Sequence, residues 1–245
     1  MKLFSIVIIA LLIQTNLLFA QKIGFIESYN PILKHAHLKN YTATKFDVKH
    51  TENLEYNISP YIDSLFQENN INVTKYSDFN FSVFEKISSN YPTASTNFPN
   101  KKIISALNQF CINKRIDYLI IIDRNDNYTA FNPFKNTFDD TFDFGITTHD
   151  GTKKRIYFYN KLRIMYYNFK TGKLEMAFSG FKNDGLLNSE WKSAKFETNS
   201  FDLKTKNLTQ PKESQSLFLD EYKKRLKIEF ERMSEKLKKD INSTK

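Results

Sequence analysis

The segment Asp117-Tyr118-Leu119-Ile120-Ile121-Ile122-Asp123 constrains the fold of this 245-residue chain more than any other feature. A short, unbroken apolar run bracketed by aspartates predicts a strand buried on both faces, as at the centre of a sheet. It follows directly on Lys101–Lys114, where Ile104, Leu107 and Cys111 recur at helical spacing. A helix feeding a doubly buried strand is an α/β unit, and the remaining segments are organised around it.

Upstream, Lys22–Glu27 predicts an opening strand, and residues 28–57 are polar and mixed, with a weak strand over Tyr41–Val48. Ile58-Ser59-Pro60 then starts a helix, with Ser59 as the cap, Pro60 at the first helical position, and Ile62, Leu65 and Phe66 as its apolar face. Asn69-Asn70 ends that helix and Ile71–Tyr76 supplies the next strand, a βαβ-like opening. Phe81–Ser88 predicts a short helix.

Downstream, residues 124–152 have no clear period and predict an irregular insertion rich in Asn, Asp, Phe and Thr. Arg155–Phe169 and Leu174–Lys182 have β character and are joined by Lys170-Thr171-Gly172-Lys173, a hairpin signal. Residues 183–213 predict a loop anchored by Trp191. Over residues 214–241, Leu219, Tyr222, Leu226, Phe230, Met233, Leu237 and Ile241 recur at spacings of three and four and mark a long amphipathic helix. The expected fold is therefore α/β, in the α+β sense of a mixed sheet. It has a βαβ opening, a central buried strand, a hairpin and a long C-terminal helix, in one domain over residues 21–245.

Residues 1–20 (MKLFSIVIIALLIQTNLLFA) place Lys2 before an apolar run that ends in Ala20, the layout of a cleavable export signal. The competing reading is a retained anchor, which the polar Gln14-Thr15-Asn16 interruption weakens. A periplasmic or secreted location is expected. No cysteine near residue 20 offers a lipid-attachment site, and no later segment is apolar enough to span a membrane. The one cysteine, Cys111, predicts a small core residue and no intrachain disulfide.

The formal charge of +9 falls by one if Lys2 leaves with the signal, and a basic exported protein favours acidic partners or anionic envelope surfaces. Nucleic acid is not an expected partner. Arg155, Lys161, Arg163 and Lys170 do interleave with Tyr157, Tyr159 and Tyr167, but on a strand that alternation also describes a half-exposed sheet.

Two stretches carry a resemblance. Ala106…Cys111…Ile116-Asp117-Tyr118-Leu119-Ile120 is a helix running into a buried strand, and Leu162…Tyr166-Tyr167-Asn168…Thr171-Gly172-Lys173-Leu174 is the hairpin that follows. With the export signal and the βαβ opening, this order over residues 22–182 resembles the N-terminal α/β domain of TolB and the CsgG-like envelope proteins. Asp123-Arg124-Asn125 stands where such domains carry a glycine, and no β-propeller repeats follow. The resemblance implies a non-enzymatic envelope role through protein–protein contact.

The chemistry-bearing patterns are few. No phosphate-cradling glycine loop, G-x-S-x-G elbow or H-E-x-x-H pair occurs, and no cofactor is expected. His35-Ala36-His37 has metal-like spacing, because an extended segment would put both imidazoles on one face; the plainer reading is two solvated histidines in a polar loop. Asp123, Asn125 and Asn127 open like a calcium loop, which then fails at Tyr128 and Phe134. Asp139, Asp140, Asp143, His149 and Asp150 form an acidic group beyond the central strand, where a divergent hydrolase would place its acid and base. Phe131, Phe134 and Phe138 are the candidate partner-binding residues in the same insertion. The leading expectation is a non-catalytic envelope protein that works by binding, with a hydrolase and a metal-binding carrier as alternatives.

Overall fold

A computed structural model describes residues 21–38, 48–84, 101–124, 143–160, 162–178 and 192–243. Residues 1–20, expected as an export signal, Trp191, and the sites expected at Asn125, Asn127, Phe131, Phe134, Phe138, Asp139 and Asp140 lie outside the described residues.

The strands are β1 (Ile23–Ser28), β2 (Ile32–Leu38), β3 (Val48–Asn57), β4 (Val73–Tyr76), β5 (Tyr118–Arg124), β6 (Phe144–His149), β7 (Arg155–Asn160), β8 (Leu162–Asn168), β9 (Lys173–Phe178) and β10 (Lys192–Lys195). The helices are α1 (Ser59–Glu68), α2 (Lys101–Lys114) and α3 (Pro211–Ser243). They build an α+β fold with two five-stranded sheets, one in the order β4-β1-β5-β8-β9 and the other β10-β7-β6-β2-β3. The first is mixed: β1 runs parallel to both β4 and β5, while β8 and β9 add antiparallel strands. In the second, β2 and β6 are parallel and the remaining pairs antiparallel.

The expected central strand is β5, and its side chains divide between two cores. Tyr118, Ile120 and Ile122 face the larger core, shared with the second sheet, α1 and α3. Leu119 and Ile121 face a smaller core under α2 with Phe110 and Cys111, so the sole cysteine is a buried core residue. The stripe on α3 is also as expected: Leu219, Tyr222, Leu226, Phe230, Met233 and Leu237 are buried, and Ile241 is partly so. At about 1.5–3 kcal/mol for each large apolar side chain removed from water, this stripe is a principal bond between α3 and the sheets. Phe218 and Tyr222 stack on one another, and Tyr222 stacks on Phe144 with centroids 5.5 Å apart.

Several expectations are corrected. The polar stretch 28–57 holds two strands, β2 and β3, which pair along their length to form one side of the second sheet. Ser59 lies inside α1 rather than capping it; Ile58 holds the cap position, and the Asn57 Oδ1 accepts the Ser59 N–H at 2.8 Å. The supposed insertion 124–152 contains β6, paired on one side with β2 and on the other with β7. Within 183–213, Lys192–Lys195 forms β10 at the edge of the second sheet.

The run Arg155–Phe169, expected as one strand, is two strands in different sheets. The chain leaves the second sheet at Asn160 and enters the first at Leu162. Asn160 stabilises the break: its Nδ2 donates to the Leu162 carbonyl at 2.9 Å, and its Oδ1 accepts the Leu162 N–H at 3.2 Å and the Tyr222 hydroxyl at 2.7 Å. Corners of this kind let one strand run serve two packed sheets. The hairpin β8–β9 turns at Gly172, whose φ of +65° favours glycine.

Candidate functional site

β2 places His35 and His37 on one face, two residues apart, as an extended segment requires. They are not solvated loop residues: both are fully buried. Neighbouring strands supply their partners through register. Glu52 on β3 lies opposite His35, His50 lies opposite His37, and Thr148 on β6 lies opposite His37 on the other side.

All four ring nitrogens contact protein groups. His35 Nδ1 lies 2.8 Å from Glu52 Oε1, and His35 Nε2 lies 2.7 Å from Thr148 Oγ1. His37 Nδ1 lies 2.9 Å from the same hydroxyl, and His37 Nε2 lies 3.2 Å from Asp150 Oδ1. The result is a buried chain, Glu52–His35–Thr148–His37–Asp150. Its ends are tied to the segment before α3: the Leu208 N–H donates to Glu52 Oε1 at 2.9 Å, and Lys206 Nζ donates to Asp150 Oδ1 at 2.9 Å. Phe201 packs on the His37 ring with centroids 4.3 Å apart, and the Lys206 ammonium lies over Phe201.

The electrostatics follow from this burial. Desolvation lowers the His35 pKa against the pull of Glu52, and it pushes His37 down to about 4, with Lys206 adding to the effect. Burial opposes ionisation of Glu52, but the His35 and Leu208 hydrogen bonds outweigh it and hold the carboxyl below its ordinary range. The Lys206 hydrogen bond does the same for Asp150. With neutral rings, two carboxylates (Glu52, Asp150) face two ammonium groups (Lys206, and Lys49 at 3.8 Å from Asp150 Oδ2), so the group is charge-balanced.

The described members of the acidic group read from the sequence, Asp143, His149 and Asp150, do not come together as one cluster. Asp143 and Asp150 flank opposite ends of β6, roughly 20 Å apart at the rise of a strand. Asp143 is buried, with its Oδ2 accepting the Asn30 N–H at 2.6 Å and Arg124 near its other oxygen. His149 faces away from the histidine chain and stacks on Tyr157. Asp123 forms a buried bidentate pair with Arg163, both contacts at 2.6 Å. Arg163 is therefore a core residue, and the half-exposed reading of that strand is corrected along with it. No cluster of three or more His, Cys, Asp or Glu placed to hold a metal ion occurs among the described residues.

The residues missed in the sequence are Glu52, Thr148 and Lys206. Each sits in a segment that read as loop or insertion, and nothing local marks them. The nearest signal was the cluster Leu33, Ala36 and Leu38 in β2, whose apolar run is broken by two histidines and a lysine.

Among the described residues, no helix is long and apolar enough to cross a membrane. No protein-family model matches the chain, and no curated protein is similar to it. Among solved structures it is similar to the hypothetical protein CT253 from Chlamydia trachomatis, at 9% identity over 84% of this chain and 98% of that one. The TM-score of that likeness is 0.30, which carries no argument about fold or function.

Proposed function

We propose that this chain is an exported, non-catalytic protein of the cell envelope that acts by binding another envelope protein or an anionic envelope surface. The observation that carries the reading is the first 20 residues, with Lys2, an apolar run and a small residue before Gln21-Lys22. The engagement of the polar residues supports a structural use for them. Asp143 is spent on the Asn30 backbone and Arg124, Asp123 on Arg163, and His35 and His37 on each other's neighbours. The likeness to the TolB N-terminal domain that motivates the reading rests on the sequence order of elements over residues 22–182. The basic charge of +9 supports an acidic partner or surface.

The test is fractionation followed by in-cell crosslinking. The expected result is a mature chain beginning near Gln21 in the envelope fraction, captured with a defined envelope component. Substituting Phe131, Phe134 and Phe138 by serine tests the contact surface, with the melting temperature of the variant read alongside to check that the fold is kept. A full-length chain in the cytoplasm would refute the export reading. Capture unchanged by the triple variant would refute the surface.

A further inference from the structure

The buried chain Glu52–His35–Thr148–His37–Asp150 contains four polar contacts, and each needs one proton to be a hydrogen bond. Two neutral imidazoles and one hydroxyl supply three. With both carboxylates ionised, one contact must lack its proton. Distance identifies which one. Three of the contacts lie at 2.7–2.9 Å, and the fourth, His37 Nε2 to Asp150 Oδ1, is the longest at 3.2 Å. Lys206 already donates to that same oxygen at 2.9 Å and supplies the positive charge that a protonated His37 would otherwise bring.

We propose that His37 Nε2 is a vacant proton site, and that proton uptake there exchanges the Lys206–Asp150 contact for a His37–Asp150 hydrogen bond and so unlatches residues 201–208 from the second sheet. In the neutral state the direction of donation is fixed. His35 Nδ1–H donates to Glu52, the Thr148 hydroxyl donates to His35 Nε2, and His37 Nδ1–H donates to Thr148. His37 Nε2 is left as a bare acceptor beside Asp150. Asp150 is the route to water, since its side chain keeps 37% of its exposure whereas His35 and His37 keep none. Uptake of one proton from solvent completes the fourth bond and brings a second cation, His37, against Lys206 at one carboxylate oxygen, where the two positive charges repel.

The groups that face His37 all bear on this exchange. β2 presents His35, and β3 presents Lys49, His50 and Glu52. The turn after β6 presents Asp150, and the segment before α3 presents Lys206 and the Phe201 ring. His50 Nε2 is buried without a hydrogen-bond partner among the described residues, so it supplies no donor to the chain. The latch residue also bears strain: Lys206 has φ +68°, a conformation that L-residues with a Cβ adopt rarely. Outliers of this kind cluster at switch segments, where surrounding contacts hold them in place. Release of the Asp150 contact removes the hold.

The test is side-chain nitrogen NMR on the mature chain across a pH titration, with hydrogen exchange read at the Leu208 amide. At neutral pH both His35 and His37 are expected as Nδ1–H tautomers, the minor form for free histidine. On acidification His37 takes up its proton before His35, and the Leu208 protection factor falls over the same interval. Lys206→Met removes the competing cation and is expected to raise the His37 midpoint by about one pH unit, a tenfold gain in proton affinity. A Nε2–H tautomer at either histidine in the neutral chain overturns the proposal. So does a His37 midpoint unmoved by Lys206→Met, or a Leu208 protection factor that does not change as His37 titrates. The tautomer measurement needs no variant, so a poorly folding substitution cannot decide the result.

Discussion

Asn160→Ala is expected to be among the most damaging single substitutions in the larger core, and its cost can be worked from three hydrogen bonds. The side chain satisfies the Leu162 N–H, the Leu162 carbonyl and the Tyr222 hydroxyl, all in a buried setting. An orphaned buried polar group costs about 1–3 kcal/mol. With three buried groups affected, each near the lower end of that range, the total is about 3 kcal/mol. Tyr222→Phe removes one of the three bonds without emptying the core and is expected to cost about 1 kcal/mol. The double variant should then cost about 1 kcal/mol less than the sum of the singles, because the shared bond is lost only once. Urea unfolding followed by far-ultraviolet circular dichroism measures this. With a slope of about 2–3 kcal/mol/M for a domain of this size, Asn160→Ala lowers the midpoint by roughly 1 M. A loss below about 0.3 M, or full additivity with Tyr222→Phe, would show that the corner is held by packing rather than by Asn160.

Three other outcomes follow from the packing and the charges. Gly145→Ala places a Cβ 2.0 Å from the Lys34 carbonyl oxygen at φ +153°, so the β2–β6 pair must part, and soluble yield and melting temperature should both fall sharply. Asp123→Asn and Arg163→Met each strand one member of a buried ion pair and are expected to cost about 3–5 kcal/mol, while Asp123→Leu combined with Arg163→Met costs less than either single change in urea unfolding. His35 and His37 both hold pKa values below the ordinary 6.5, so between 6.5 and about 4 the unfolded chain binds more protons than the folded one. Their contribution to stability is thus complete above pH 6.5 and lost as pH falls through that interval; melting temperatures that stay flat from pH 7 to 4 would contradict this.

How much of this was legible depended on whether a segment's pattern was local. β5, α2 and α3 were readable because an unbroken apolar run or a spacing of three and four reports burial without reference to any partner. β2 escaped because Lys34, His35 and His37 break its apolar signal, although His35 and His37 are as buried as its leucines. β7 and β8 read as one strand because the break between them is made by a side chain, Asn160, bonding to backbone two residues on. The histidine spacing correctly implied a shared face, but Glu52, Thr148, Asp150 and Lys206 reach that face through pairings between distant segments. Asp143 and Asp150 looked like neighbours only because the strand separating them had read as loop.

The Asn160 corner is one of several places where the chain changes sheet. β1 belongs to the first sheet, β2 and β3 to the second, β4 and β5 to the first, β6 and β7 to the second, β8 and β9 to the first, and β10 to the second. Neither sheet is therefore encoded by a contiguous stretch of sequence, and no amount of early synthesis completes one of them. In the second sheet the local pairs β2–β3 and β6–β7 can form early, but β1 must wait for β5, and β2 for β6, across about a hundred intervening residues. Such a chain folds slowly, and neither half of the sequence carries a complete sheet to fold by itself. A polypeptide built this way keeps the apolar faces of its early strands uncovered until its last strands arrive, which makes the unfinished chain a substrate for association with its own copies.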